Sequence, residues 1–271
     1  MASFDEKILS IVKGFNSTIP KNVFKDKWIS ILGDGISTYK GWVPEDNTAF
    51  YPYKDVDVKN VNEMWWHILI TKLEAKLCVN NSYSGVTLAN SEPEIISKLT
   101  DNLYIDAGQE YKKMDGTTEI ATDRINPDVI LVFLGNNEFE NDVPVGEANL
   151  NGTPSEENTS FSQCIESILY RLIELYPMAK IYCINNLARF GKYPFLQKNA
   201  AGSSIADYRL ALEKICKAME VNVLHADKLG IHSYNAQRYL VFRKFPKIIT
   251  HKMLAEQCYN EMSNCVNCLY E

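Results

Sequence analysis

The chain has 271 residues, of which 46% are apolar, with a net charge of −6 and a sequence pI near 5.4. That length and apolar content suffice for one substantial core, as in a single α/β domain. There is no dense Lys/Arg stripe, which argues against nucleic-acid and acidic-membrane partners, and no run approaches the roughly 20 apolar residues of a membrane span.

The first residues, MASFDEKILSIVKGF, are amphipathic and of mixed charge, without the apolar stretch of a signal peptide. Residues 1–27 are expected to form a helical leader, Phe4 to Phe15, packed on one domain spanning 28–271. The five strands expected next are Trp28 to Leu32, Lys76 to Val79, Asp128 to Leu134, Lys180 to Ile184 and Asn222 to Leu224. Between them, Val61, Met64, Trp65, Ile68, Leu69 and Leu73 recur at helical spacing. So do Phe161, Ile165, Ile168, Leu172 and Leu175, then Ile205, Leu212, Ile215 and Met219, and finally Ile249, Met253, Leu254 and Cys258. Alternating βα units predict a three-layer α/β/α sandwich with a mainly parallel sheet. The polar stretch from Asp142 to Ser160 is too long for a routine connection and is expected to be an insertion over one end of the sheet.

Seven cysteines, Cys78, Cys164, Cys183, Cys216, Cys258, Cys265 and Cys268, are odd in number and mostly in apolar segments. Reduced thiols and a cytoplasmic location suit this pattern better than a disulfide framework. Cys265 and Cys268 have the spacing of half a zinc site, but no second pair closes four ligands, so a helical tail is expected, with no metal and no cofactor.

In open parallel sheets the ligand crevice lies outside the carboxyl ends of the strands. Three polar turns fall there: Gly33-Asp34-Gly35-Ile36-Ser37-Thr38, then Asn80-Asn81-Ser82-Tyr83-Ser84-Gly85, then Gly135-Asn136-Asn137-Glu138. Together with WWHILI and GIHSYN, they resemble the conserved blocks of the SGNH (GDSL) hydrolases, over most of Trp28 to Cys258. The resemblance implies a flavodoxin-like sheet and an ester-hydrolase site. That site would have a serine nucleophile in the first block, an oxyanion hole from backbone N–H groups and the third-block Asn, and an Asp-x-x-His pair in the last block. Gly85 and Asn137 match the hole residues, and the N–H groups near Gly35 and Gly85 are expected, with Asn137, still to be able to bind a carbonyl or carboxylate oxygen without the triad.

The catalytic positions do not match. Gly-Asp-Ser reads Gly33-Asp34-Gly35, and glycine has no atom that can attack an acyl carbon. Aligning the last block through Pro246 puts Phe242 at the aspartate position and Phe245 at the histidine position. Ser37 and Thr38 stand too far along the turn to substitute for the nucleophile and are expected to cap a helix. Trp42, Tyr51 and Tyr53 are expected either to line a pocket with the two phenylalanines or simply to fill core.

Of the four histidines, His67 and His251 fall on helices, whereas His225 and His232 lie close enough to the last strand to reach the crevice. Asp34 and Glu138 are expected to brace turns. Three functions stay open. The first is a pseudoenzyme that binds an acylated or carbohydrate-like small molecule in the strand-end cleft, or a protein partner. The second is an acyl or acetyl ester hydrolase using water with Asp34, Glu138, His225 or His232. The third is a structural or regulatory subunit.

Overall fold

The computed structural model describes residues 22–90, 94–154, 157–187, 197–232, 234–242 and 244–267, with side chains as far as 264. The leader expected at Phe4 to Phe15 and the thiols of Cys265 and Cys268 lie outside the described residues. Five strands form the central sheet: β1 (Trp28–Gly33), β2 (Lys76–Asn80), β5 (Val129–Phe133), β6 (Lys180–Ile184) and β7 (Asn222–Leu224). Their order is β2-β1-β5-β6-β7, and every neighbouring pair is parallel. These are the five strands the sequence predicts, to within a residue or two at their ends.

All five residues of β5 are buried, as a parallel sheet covered on both faces requires. Alternation along the strands sorts the core into two halves. Ile29, Ile31, Leu131, Phe133, Tyr182 and Ile184 face α1 (Trp65–Lys72) and α7 (Ile248–Asn267). Ile130, Val132, Ile181 and Cys183 face α4 (Phe161–Leu175) and α5 (Ile205–Ala218), with α2 (Glu94–Thr100) beside them. This is the three-layer sandwich.

The helices start where local chemistry allows. At α5, Ser204 and Asp207 form a capping box, each side chain bonded to the other's backbone N–H. At α1, extended Met64 stands at the cap with no side-chain oxygen. The Trp65 N–H is met instead by Nδ1 of His251, at 3.1 Å from the facing helix α7. The helix predicted to start at Val61 is thus interrupted, and Val61–Glu63 forms a separate 3-10 turn.

Among the short elements with no counterpart in the predicted ones are α2, α3 (Asn136–Glu140), α6 (Ala236–Tyr239), the hairpin of β3 (Glu110–Lys112) with β4 (Thr118–Ile120), and the hairpin of β8 (Leu240–Val241) with β9 (Phe245–Pro246). The insertion at 142–160 is irregular where described and is tied to α4 by Glu166, which accepts the Asn149 and Leu150 N–H groups at 2.8 and 2.7 Å. No described helix is long and apolar enough to cross a membrane.

Candidate functional site

β1 ends in a turn that Asp34 holds shut. Asp34 N donates to Phe133 O (3.2 Å), its Oδ1 accepts the Ile36 N–H (3.1 Å), and its Oδ2 accepts Asn136 Nδ2 (2.8 Å). With 2% exposure and both oxygens engaged, Asp34 is a brace rather than a base. Thr38 caps no helix, contrary to expectation. Its hydroxyl donates to Gly35 O (3.0 Å) and accepts the Phe50 N–H (2.8 Å), pinning the segment after the first block onto the turn. Ser37 is fully buried, and its carbonyl accepts from Trp66 Nε1 and Asn80 Nδ2.

Gly35 sits inside this turn, buried, and its N–H meets no acceptor among the described residues. Gly85, exposed at φ +85°, likewise leaves its N–H without an acceptor among them. The positive φ at Gly85 is one that a side chain would resist. Asn137, half-buried at the start of α3, donates Nδ2 to Val86 O at 2.7 Å. The residues matching the family's hole therefore offer two unengaged backbone donors, while the Asn amide is at least partly committed.

The place of the nucleophile is crowded. A Cβ added to Gly35 would lie 2.8 Å from Ser84 Oγ and 3.1 Å from Phe245 Cε1. Phe245, half-buried on β9, stacks on Phe50 with ring centroids 3.4 Å apart and planes within 6°. Phe50 in turn stacks on Tyr53 at 5.3 Å, and Tyr53 meets Phe242 edge to face. Phe242 is 54% exposed, with a left-handed φ of +47° that is uncommon for a bulky residue. Of the other aromatics, Tyr51 is core, its hydroxyl bonded to Pro246 O (2.9 Å), and Trp42 packs on Trp66 and His67. Phe50, which the sequence did not single out, makes the closest ring contact with Phe245. Beside Gly85 the surface opens into a shallow depression of about 350 Å³ lined by Thr48, Tyr83, Ser84 and Thr87.

Apart from His67 (against Trp42) and His251 (against Tyr51), no histidine makes a ring contact with these aromatics among the described residues. His67 Nε2 lies 2.9 Å from Met114 O, in a packed position that lowers its pKa by burial. His225 sits at the far edge of the sheet, after β7, with Asp227 and Glu213 at 3.6 and 3.8 Å and Asn185 at 3.4 Å. His232 is exposed and bonded within its own turn to Asn235. His251 is fully buried on α7, with its ring 5.2 Å from that of Tyr51.

Glu138 is 1% exposed, and burial pushes its carboxyl up to about 7 despite the Leu88 N–H it accepts at 2.8 Å. Below about pH 4.5 the folded and unfolded chains both hold this proton. As pH rises through 7 the unfolded chain ionises first and stability is lost. Glu138→Gln, which keeps the acceptor for Leu88, is expected to stabilise the protein by on the order of 3 kcal/mol at pH 8 and to change little at pH 4. Urea midpoints at the two pH values measure this, and equal gains at both would refute it.

A family model described as GDSL-like Lipase/Acylhydrolase matches residues 27–229. Among solved structures, a GDSL-like lipase from Bacteroides uniformis is 26% identical, with a TM-score of 0.63 over 88% of this chain and 96% of that one. A second from Bacteroides ovatus is 23% identical, with a TM-score of 0.64 over 89% and 99%. An acetyl-xylooligosaccharide esterase from Geobacillus is 11% identical, with a TM-score of 0.53 over 89% and 96%. The latter two carry the fold alone. No curated protein matches the chain.

Proposed function

Since this chain belongs to the GDSL-like lipase/acylhydrolase family, we propose that it is a pseudoenzyme of that family, retaining the fold to bind a small molecule through a carbonyl or carboxylate oxygen at the old hole. The observation that carries this reading is the pairing of a buried, unengaged Gly35 N–H with the absence of any side chain on Gly35. An unmet buried donor is costly and is rarely left without a partner, whereas a ligand oxygen would satisfy it. A donor cluster needs no triad in order to bind. Phe245 and Phe50 add an apolar wall against which an acyl chain or a sugar face can pack.

One observation favours a second reading, an ester hydrolase with a rebuilt site: Ser84 Oγ stands 2.8 Å from where the Gly35 Cβ would be. Yet Ser84 Oγ donates to no base among the described residues, and a serine without one is a weak nucleophile. Turnover of p-nitrophenyl acetate by wild type, Asn137→Ala and Ser84→Ala separates the two readings. Rates near that of buffer and within about threefold of one another are expected. A wild-type rate well above buffer that falls at least about tenfold in either variant, roughly 1.4 kcal/mol of transition-state stabilisation, would establish hydrolysis and end the pseudoenzyme reading.

A further inference from the structure

Arg209 projects from α5 toward the carboxyl end of β6, where its Nε donates to Asn186 O at 2.8 Å. The residue is 8% exposed, and its Nη2 is buried with no hydrogen-bond partner. A guanidinium keeps its charge at any working pH, so burial without a counter-ion is expensive. Glu213 and Asp227 lie close enough to be felt electrostatically, but neither forms an ion pair with Arg209 among the described residues. Both face other groups: Glu213 Oε1 and Asp227 Oδ1 flank His225 Nδ1, and Asp227 Oδ1 also accepts Asn185 Nδ2 at 2.8 Å. Charge and a donor are therefore left over on Arg209.

The adjoining side chain has the complementary deficit, because Asn186 Oδ1 is also buried without a partner. Asn186 lies on the same sheet edge as the candidate site. Its Nδ2 lies 3.4 Å from Asn136 Oδ1, and Asn136 Nδ2 donates to Asp34 beside Gly35. An unmet cationic donor on one residue and an unmet acceptor on the residue whose backbone it bonds fit an anionic oxygen group that also carries a hydroxyl. A hydroxy-carboxylate or a protonated phosphate has that chemistry.

We propose that Arg209 and Asn186 form a binding subsite for an anionic group, carboxylate or phosphate, so that the ligand of the cleft is acidic. The link to that ligand rests on the reading given under Proposed function; the subsite itself does not. Arg209 supplies the directional charge and Asn186 the acceptor, one strand beyond the turns that carry Gly35 and Asn137.

The test is calorimetric titration of the full chain with inorganic phosphate and, separately, with lactate, at constant ionic strength balanced by chloride. Saturable binding of at least one of them is expected, weakened about tenfold or more in Arg209→Met. Arg209→Lys keeps the charge but loses the planar fork, and is expected to weaken binding at least about threefold. It also keeps the proposal falsifiable should the Met variant fail to fold. Whichever anion binds more tightly distinguishes phosphate from carboxylate. No saturable binding by wild type, or wild-type affinity in Arg209→Lys, overturns the subsite. Ester turnover is a separate readout, so hydrolysis dependent on Asn137 would sink the pseudoenzyme reading without touching this one.

Discussion

Gly35→Ser alone should give no ester turnover and should cost about 1–3 kcal/mol of stability, the usual penalty for overfilling a packed site. Combining it with Phe242→Asp and Phe245→His should raise turnover by about 10²–10⁴-fold over the single variant, the range expected for a positioned general base. The new Cβ at position 35 would meet Ser84 Oγ at 2.8 Å and Phe245 Cε1 at 3.1 Å. Ser84 is short and can turn aside, but the Phe245 ring is stacked on Phe50 and cannot yield. Imidazole is smaller than that six-membered ring and relieves the 3.1 Å contact, and the triple variant tests whether a ring nitrogen then reaches the serine hydroxyl. Position 242 favours its reversion too, since Asp tolerates the φ of +47° better than Phe. Turnover of p-nitrophenyl acetate by both variants, with circular dichroism to show that each is folded, is the measurement. A folded triple variant still at the buffer rate would mean that the side chains at 242 and 245 are not aimed as a base and its orienting carboxylate.

How much of this could be read from the chain depended on the range of the interaction. The five strands of the sheet were legible because a strand buried on both faces is a short continuous apolar run, such as Val129-Ile130-Leu131-Val132-Phe133. Helices α4 and α5 were legible from their apolar stripes. The β3–β4 hairpin was not, because strands of three residues, one exposed throughout and the other at most half-buried, carry no readable period. The loss of the nucleophile was visible in one letter, Gly35, but what fills its place was not. Phe50 and Phe245 are far apart in sequence, and only the β8–β9 hairpin sets their rings face to face. The same holds for Arg209. On the helix it reads as an ordinary charged residue, and its burial against Asn186 arises only when α5 packs beside the end of β6.

The second large effect concerns acid. His251 is buried so completely that its pKa falls to about 3, and it is locked there as the acceptor for the Trp65 N–H. Above pH 6.5 neither state holds the extra proton and the residue's contribution is intact. As pH falls toward 3 the unfolded chain gains a proton that the folded chain refuses, a loss on the order of 5 kcal/mol when complete. Glu138 acts in the opposite direction, because between pH 4.5 and 6.5 the folded chain keeps a proton that the unfolded chain releases. Over that window the two slopes cancel, so these groups together leave wild-type stability flat. Removing either partner exposes the other. His251→Asn keeps an acceptor near Nδ1, and its stability should fall by about 1.4 kcal/mol per unit as pH rises from 4.5 to 6.5. Glu138→Gln should rise by the same amount over the same interval, while the double variant should return to the flat profile of the wild type. Urea unfolding at pH 4.5, 5.5 and 6.5 measures all four proteins. Parallel profiles for wild type and His251→Asn would mean that His251 titrates alike in the folded and unfolded chains.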